Sequence, residues 1–249
     1  MRHVSVLMML VLAGAGARAL TADELIAKNI EARGGREKLK AIQSMKTTGK
    51  VTMGGDDGVL EMAFTSYSKR PGSLRRERTI QGLTAVTAFD GNDGWTLQPF
   101  GGRREPEKLP PDVVKSLRDD GDVDGPLVDY KQKGHVVEYL GTEDVDGTLA
   151  HKLKLTLKSG NIEYVYLDPD YFLEIRVVSI EKVRGVEEEG ETDFGNYELV
   201  DGVYMPFSVE SGARGGPKGY KVTVEKVEVN VPVDDAMFHF PAPAAGGAR

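Results

Sequence analysis

The 249-residue chain contains no cysteine, which excludes disulfides, thiolate metal sites and cysteine nucleophiles. Histidine is scarce. Beyond His3 only His135, His151 and His239 occur, far apart and in neither an H-E-x-x-H nor an H-x-H context, so no zinc site is expected. No serine lies in G-x-S-x-G, and no glycine-rich phosphate loop stands between a strand and a helix. Positive charge is in deficit: 32 Lys and Arg against 39 Asp and Glu leave a formal charge of −7. That acidity repels nucleic acid and anionic surfaces at long range, so nucleic acid is not expected as a partner. No internal repeat and no cofactor motif is present, and no cofactor is expected.

Long hydrophobic runs are also missing, apart from Val4 to Leu12 near the start. That run follows Arg2 and His3, precedes Ala17-Arg18-Ala19, and is too short to span a bilayer. A charged start, a short apolar core and an A-x-A site read as a secretory signal peptide, residues 1–19, cut after Ala19. Losing Arg2 and Arg18 with it takes the formal charge from −7 to −9. The expected mature protein is soluble and exported, with one domain over residues 20–240 and a Pro/Ala/Gly-rich, fraying tail over 241–249.

Thr21-Ala22-Asp23-Glu24 has capping-box spacing and opens a helix in which Leu25, Ile26 and Ile30 share a face; Gly34-Gly35 ends it. A second short helix is predicted over Arg36 to Ile42. From Met45 the period changes to two, with candidate strands at 44–53, 59–69, 73–81, 83–89, 94–98, 135–140, 149–157, 162–168, 171–181, 187–199, 202–210 and 219–229. Short gaps rich in Gly, Asp and Asn separate most of them, which implies hairpins and an antiparallel meander. In the last strand the apolar phase slips at Glu225-Lys226, the mark of a β-bulge that curves the sheet.

Between residues 99 and 134 the strand pattern breaks, and Pro110-Pro111-Asp112 starts a short helix through Leu117. Asp120-Gly121-Asp122-Val123-Asp124-Gly125 then begins like a calcium loop, but Lys131 stands where the loop needs its bidentate acid, so a solvated acidic loop is expected. Arg75, Arg76, Glu77 and Arg78 make one strand polar on both faces. Cross-strand ion pairs on an exposed hairpin are the first expectation, and a charged rim meeting a partner or a lipid headgroup is the second.

Certain motifs, in order, carry a resemblance: Lys69-Arg70-Pro71-Gly72, then Asp90-Gly91 with Trp95 and Pro99-Phe100. Gly125-Pro126-Leu127 with Asp129-Tyr130, Asp201-Gly202 with Pro206-Phe207, and Phe238-His239-Phe240-Pro241 follow. Their order and spacing resemble the LolA-type periplasmic lipoprotein carriers and the outer membrane lipoprotein-sorting relatives of that superfamily. The resemblance implies a mainly β (α+β) fold: a strongly curved antiparallel sheet of about 11 strands forming an unclosed half-barrel, with helices on its concave side. It further implies a periplasmic carrier, not an enzyme, that holds lipoprotein acyl chains or another apolar ligand. Such a carrier travels between an inner-membrane transporter and an outer-membrane acceptor. By the motif match, Arg70 would lock a helical lid through hydrogen bonds.

In such a half-barrel the apolar stripe would line a ligand cavity; the candidates are Met53, Met62, Phe64, Tyr67, Leu83, Phe89, Trp95, Tyr164, Tyr166 and Phe172. The period of two says that each strand has two faces, without saying which is concave. The same fold, without cargo, would also serve as an envelope sensor or protein-interaction module.

Overall fold

The computed structural model describes residues 20–242 except 56–57, 103–104 and 184. The expected signal peptide, and the tail beyond Ala242, lie outside them. Thr21 caps α1 (Ala22–Ala32) with the full reciprocal box to Glu24, as its spacing predicts. α2 (Arg36–Ala41) follows directly.

Thirteen strands, rather than about 11, then form one sheet. They are β1 (Ser44–Gly55), β2 (Gly58–Lys69), β3 (Ser73–Ile80), β4 (Leu83–Phe89), β5 (Gly94–Leu97), β6 (Glu107–Lys108), β7 (Val136–Val145), β8 (Thr148–Thr156), β9 (Ile162–Leu167), β10 (Glu174–Val183), β11 (Val186–Val200), β12 (Val203–Ala213) and β13 (Tyr220–Val229). The strand missed in the sequence is β6, two residues too short to show a period. β7 runs five residues past its expected end because Asp146-Gly147 makes a hairpin turn, with both residues at positive φ. β10 starts later than expected because Phe172 adopts a φ of 57°.

The strand order is β6-β5-β4-β3-β2-β1-β13-β12-β11-β10-β9-β8-β7, and every pairing is antiparallel. Each strand pairs with its sequence neighbour except where β1 meets β13 and where β6 and β7 part. Those two form the open edges, and the chain between them supplies α3 (Pro111–Asp120) and α4 (Tyr130–Lys133). The helical insertion therefore arises where the half-barrel is unclosed. The phase slip expected in the last strand is present: Thr48 pairs with Lys226 and Gly49 with Val224, leaving Glu225 without a partner.

All the packed helices lie on the concave face. Leu25 and Ile26 of α1 bury against Leu153, Leu155 and Leu167; Leu39 and the following Ile42 bury against Val203. Leu117 of α3 covers Leu74 and Phe89. Each side chain so removed from water contributes roughly 1.5–3 kcal/mol. The α1–α2 joint sits so close to the β11–β12 turn that a Cβ on Gly34 would stand 2.2 Å from the Gly202 carbonyl oxygen. No described helix is long and apolar enough to cross a membrane.

Candidate functional site

The candidate site combines helix α3, called the lid below, with the apolar inner face of the sheet, called the trough. α3 runs from the β3–β5 wall to β10, so it bridges the two sides of the open sheet. Leu117 and Val114 hold it to Leu74 and Phe89 on one side. On the other, the Ser116 hydroxyl donates to Glu181 of β10 at 2.5 Å. At its C-terminal end, Asp119 accepts from the Ser159 hydroxyl at 2.7 Å and from the Asn161 amide at 3.0 Å, both in the β8–β9 turn. Asp120 accepts from Arg76 of β3 at 2.8 Å. Gly121 ends the helix against the Lys69–Gly72 turn, where a Cβ would lie 2.3 Å from the Gly72 carbonyl oxygen. Only glycine permits that approach.

Arg70 leaves the same turn and joins three segments. Its Nε donates to the Ile42 carbonyl at 2.7 Å and one terminal nitrogen to the Leu39 carbonyl at 3.1 Å, which satisfies free carbonyls at the end of α2. The two terminal nitrogens grip both oxygens of Asp124, one of them at 2.9 Å. The resemblance implies hydrogen bonds from Arg70 to a helical lid; the observed partners are the carbonyls at the end of α2 and a carboxylate in the loop after α3. The Asp124 side chain is only 2% exposed. Burial alone would raise its pKa, but the Arg70 hydrogen bonds and charge outweigh it and hold the carboxyl below its ordinary range.

The loop that begins like a calcium site is tied down by protein cations. Asp120 meets Arg76, Asp122 meets Lys133 at 2.5 Å, and Asp124 meets Arg70 and, at 3.4 Å, Lys40. Among the described residues no group of acids and histidines is arranged to hold a metal ion.

The trough is the apolar inner face of the sheet, next to the residues that α3 covers. Strand register fixes its face: Val51 pairs with Met62 and Val222, and Phe64 with Gly49, so these side chains point the same way as Leu74 and Phe89 under α3. Val51, Met62 and Val222 are buried, with Phe64, Ile80 and Val209 packed around them.

The ten cavity candidates therefore divide. Met62, Phe64 and Phe89 face inward. Met53 and Leu83 are on the inward face but at the far ends of their strands, 40% and 48% exposed. Tyr67 points outward beside Lys46. Tyr164 and Tyr166 are also outward, under Lys152, because Val165 between them is the inward residue. Phe172 lies in the β9–β10 turn, stacked on His151 and tied to α1 by the Asn29 amide, which donates to its carbonyl at 2.9 Å.

Trp95 is on the outer face with Val86 and Ala88. There the segment after β13 covers it: its indole N–H donates to the Phe238 carbonyl at 2.8 Å, and Arg75 donates to the Met237 carbonyl at 2.7 Å. The Phe-His-Phe-Pro segment is thus an external strap.

Sequence reasoning missed Glu163. It shares the inward face with Leu155 and Ser179 and makes no hydrogen bond among the described residues. Burial, then the charges of Asp119, Asp120, Glu181 and Asp122, push its carboxyl up to about 7. Asp119 is also raised, chiefly by burial. The signal available was Glu163 alone among apolar inward residues of β9, readable only once the inward face is known.

Neither a protein-family model nor a curated protein matches this chain. Solved structures do. A LolA superfamily protein from Nitrosomonas europaea superposes with a TM-score of 0.60 at 14% identity, covering 89% of this chain and 98% of that one. A DUF1329 family protein from Desulfovibrio piger gives 0.59 at 14% identity over 87% and 96%. A putative outer membrane lipoprotein-sorting protein domain from Vibrio parahaemolyticus gives 0.56 at 12% identity over 86% and 94%. The chain has a LolA-like fold.

Proposed function

We propose that this protein is a periplasmic binding or carrier protein that holds an apolar ligand, such as lipoprotein acyl chains, in the trough beside α3. The observation that carries this reading is the lid. α3 lies across an apolar sheet face but is held at its edges mainly by polar contacts, through Ser116, Asp119 and Asp120. Each of these contacts involves a carboxylate, and hydrogen bonds to charged groups are worth about 1.5–3 kcal/mol net, so the lid can open by exchanging a few such contacts for water rather than by dismantling the strands. A bound chain then gains about 0.8 kcal/mol per methylene buried. Arg70 and Asp124 act as the hinge clamp that keeps the empty state closed. An inner-membrane transporter and an outer-membrane acceptor are the partners such a carrier requires. No catalytic role is assigned to any residue.

Because the chain has no cysteine, the reading can be tested by locking the lid. Ser116→Cys and Glu181→Cys, bridged by a short thiol-cleavable bismaleimide, would tether α3 to β10. The bridged protein is expected to lose most of the fluorescence enhancement of N-phenylnaphthylamine, and cleavage of the bridge to restore it. Equal uptake with the lid tethered would place the ligand elsewhere and overturn the proposal.

A further inference from the structure

β3 carries four consecutive charged residues, and their fates differ. On the outer face Arg75 and Glu77 pair with each other at 2.6 Å. On the inner face Arg76 meets Asp120 of the lid at 2.8 Å. Arg78 lies two residues further along that inner face, in register with Phe64 on β2 and Ala85 on β4. It is half-buried, and among the described residues it has neither a hydrogen-bond nor an ion-pair partner.

A cation left without a partner on a partly dry apolar surface is disfavoured, and guanidinium groups in such places are ordinarily matched by an anion. The acids of the opposite wall are engaged or distant in the sheet: Glu181 accepts from Ser116, and Glu163 stands on β9, with six strands between it and β3 through β1 and β13. The trough is therefore polarised, cationic along β3 and acidic along β9–β10, with the apolar floor of Val51, Met62 and Val222 between. An anionic group entering it is attracted to β3 and repelled by β9–β10.

We propose that the trough's ligand is an anionic amphiphile whose acid group, a carboxylate or a phosphate, seats against the Arg78 guanidinium while its chain lies on Val51, Met62 and Val222. This rests on the carrier reading and narrows its substrate class. The guanidinium fork matches both acid groups through paired N–H donors, which an uncharged headgroup cannot exploit equally.

Calorimetric titration at pH 8 of the detergent-free protein with decanoate, decyl phosphate, decan-1-ol and inorganic phosphate tests it. Decanoate and decyl phosphate are expected to bind at least about tenfold more tightly than decan-1-ol, the scale of one charge-assisted contact. Inorganic phosphate alone is expected to give no measurable heat. Arg78→Met should abolish the preference and leave decan-1-ol affinity unchanged, while Arg78→Lys retains part of it; Lys50→Met, on the outer face, should change nothing. If Arg78→Met does not fold, the ratio for the parent protein and its decline with salt still decide.

Decan-1-ol binding as tightly as decanoate, or a preference that survives Arg78→Met, would overturn this inference and leave the carrier reading standing. Inorganic phosphate binding as tightly as decyl phosphate would also overturn it, since the site would then take a free anion. Failure of every chain-bearing probe would remove both.

Discussion

Arg70→Leu is expected to destabilise the protein by about 3 kcal/mol and to release the lid. The substitution removes the donors that hold the Leu39 and Ile42 carbonyls, and it strands Asp124, whose side chain is only 2% exposed. Removing one partner of a buried pair costs about 3–5 kcal/mol because the remaining charge is left in a dry place. Lys40, at 3.4 Å from Asp124, offers partial compensation and puts the expectation at the low end. Replacing both members, Arg70→Leu with Asp124→Leu, should recover a good part of the loss, since an apolar pair of similar volume carries no stranded charge. Urea unfolding supplies the energies, and amide hydrogen exchange over residues 112–128 reports the lid and the Asp124 loop that follows it. A loss below about 1 kcal/mol for the single variant, with exchange unchanged, would remove Arg70 from the clamp.

Glu163→Gln is expected to stabilise the protein at pH 8 by about 2–3 kcal/mol and to have little effect at pH 4. The sign follows from the direction of the shift. The Glu163 carboxyl titrates at about 7 in the folded protein against 4.5 when free, so the folded state holds its proton more tightly. Its contribution to stability is fully present below pH 4.5 and is lost as pH rises through 7.

Each pKa unit is worth about 1.4 kcal/mol, and the expected figure is set below the full value because the side chain is not wholly enclosed. The groups that face it are Asp119 and Asp120 of α3, Asp122 in the following loop and Glu181 of β10. Above neutrality the ionised carboxylate therefore repels the lid, and Gln removes that repulsion. Thermal or urea unfolding from pH 4 to 8 checks this; parallel curves for the two proteins would contradict it.

Much of the architecture is legible locally. The Thr21–Glu24 box, the alternation of Leu153, Leu155 and Leu157 with Lys152 and Lys154, and the slip at Glu225 each record a short-range physical demand. Arg70 was legible only through a motif resemblance, and its partner Asp124 was not. The pair is separated by 54 residues, and nothing local distinguishes Asp124 from the other acids of its loop.

The aromatic candidates divided because alternation reports two faces without naming the inner one. In β9, Tyr164 and Tyr166 alternate with Val165 and Leu167, and both sets are apolar. Only the cross-strand register, Leu153 opposite Val165, carries the inward assignment from β8, where the lysines mark the wet side, to β9, where nothing does. Trp95 was misplaced for a different reason. Its cover is the strap around Phe238, 143 residues away, so an outer-face residue behaves as core.

The central claim is that the trough beside α3 holds an apolar ligand. Native mass spectrometry of the protein purified from periplasm without detergent, followed by lipid extraction, tests it most directly. A bound mass that extracts as lipid or acylated peptide, and that is absent when the lid is tethered before loading, is the predicted result. An empty protein that also fails to take up added lipid or lipopeptide would contradict the account.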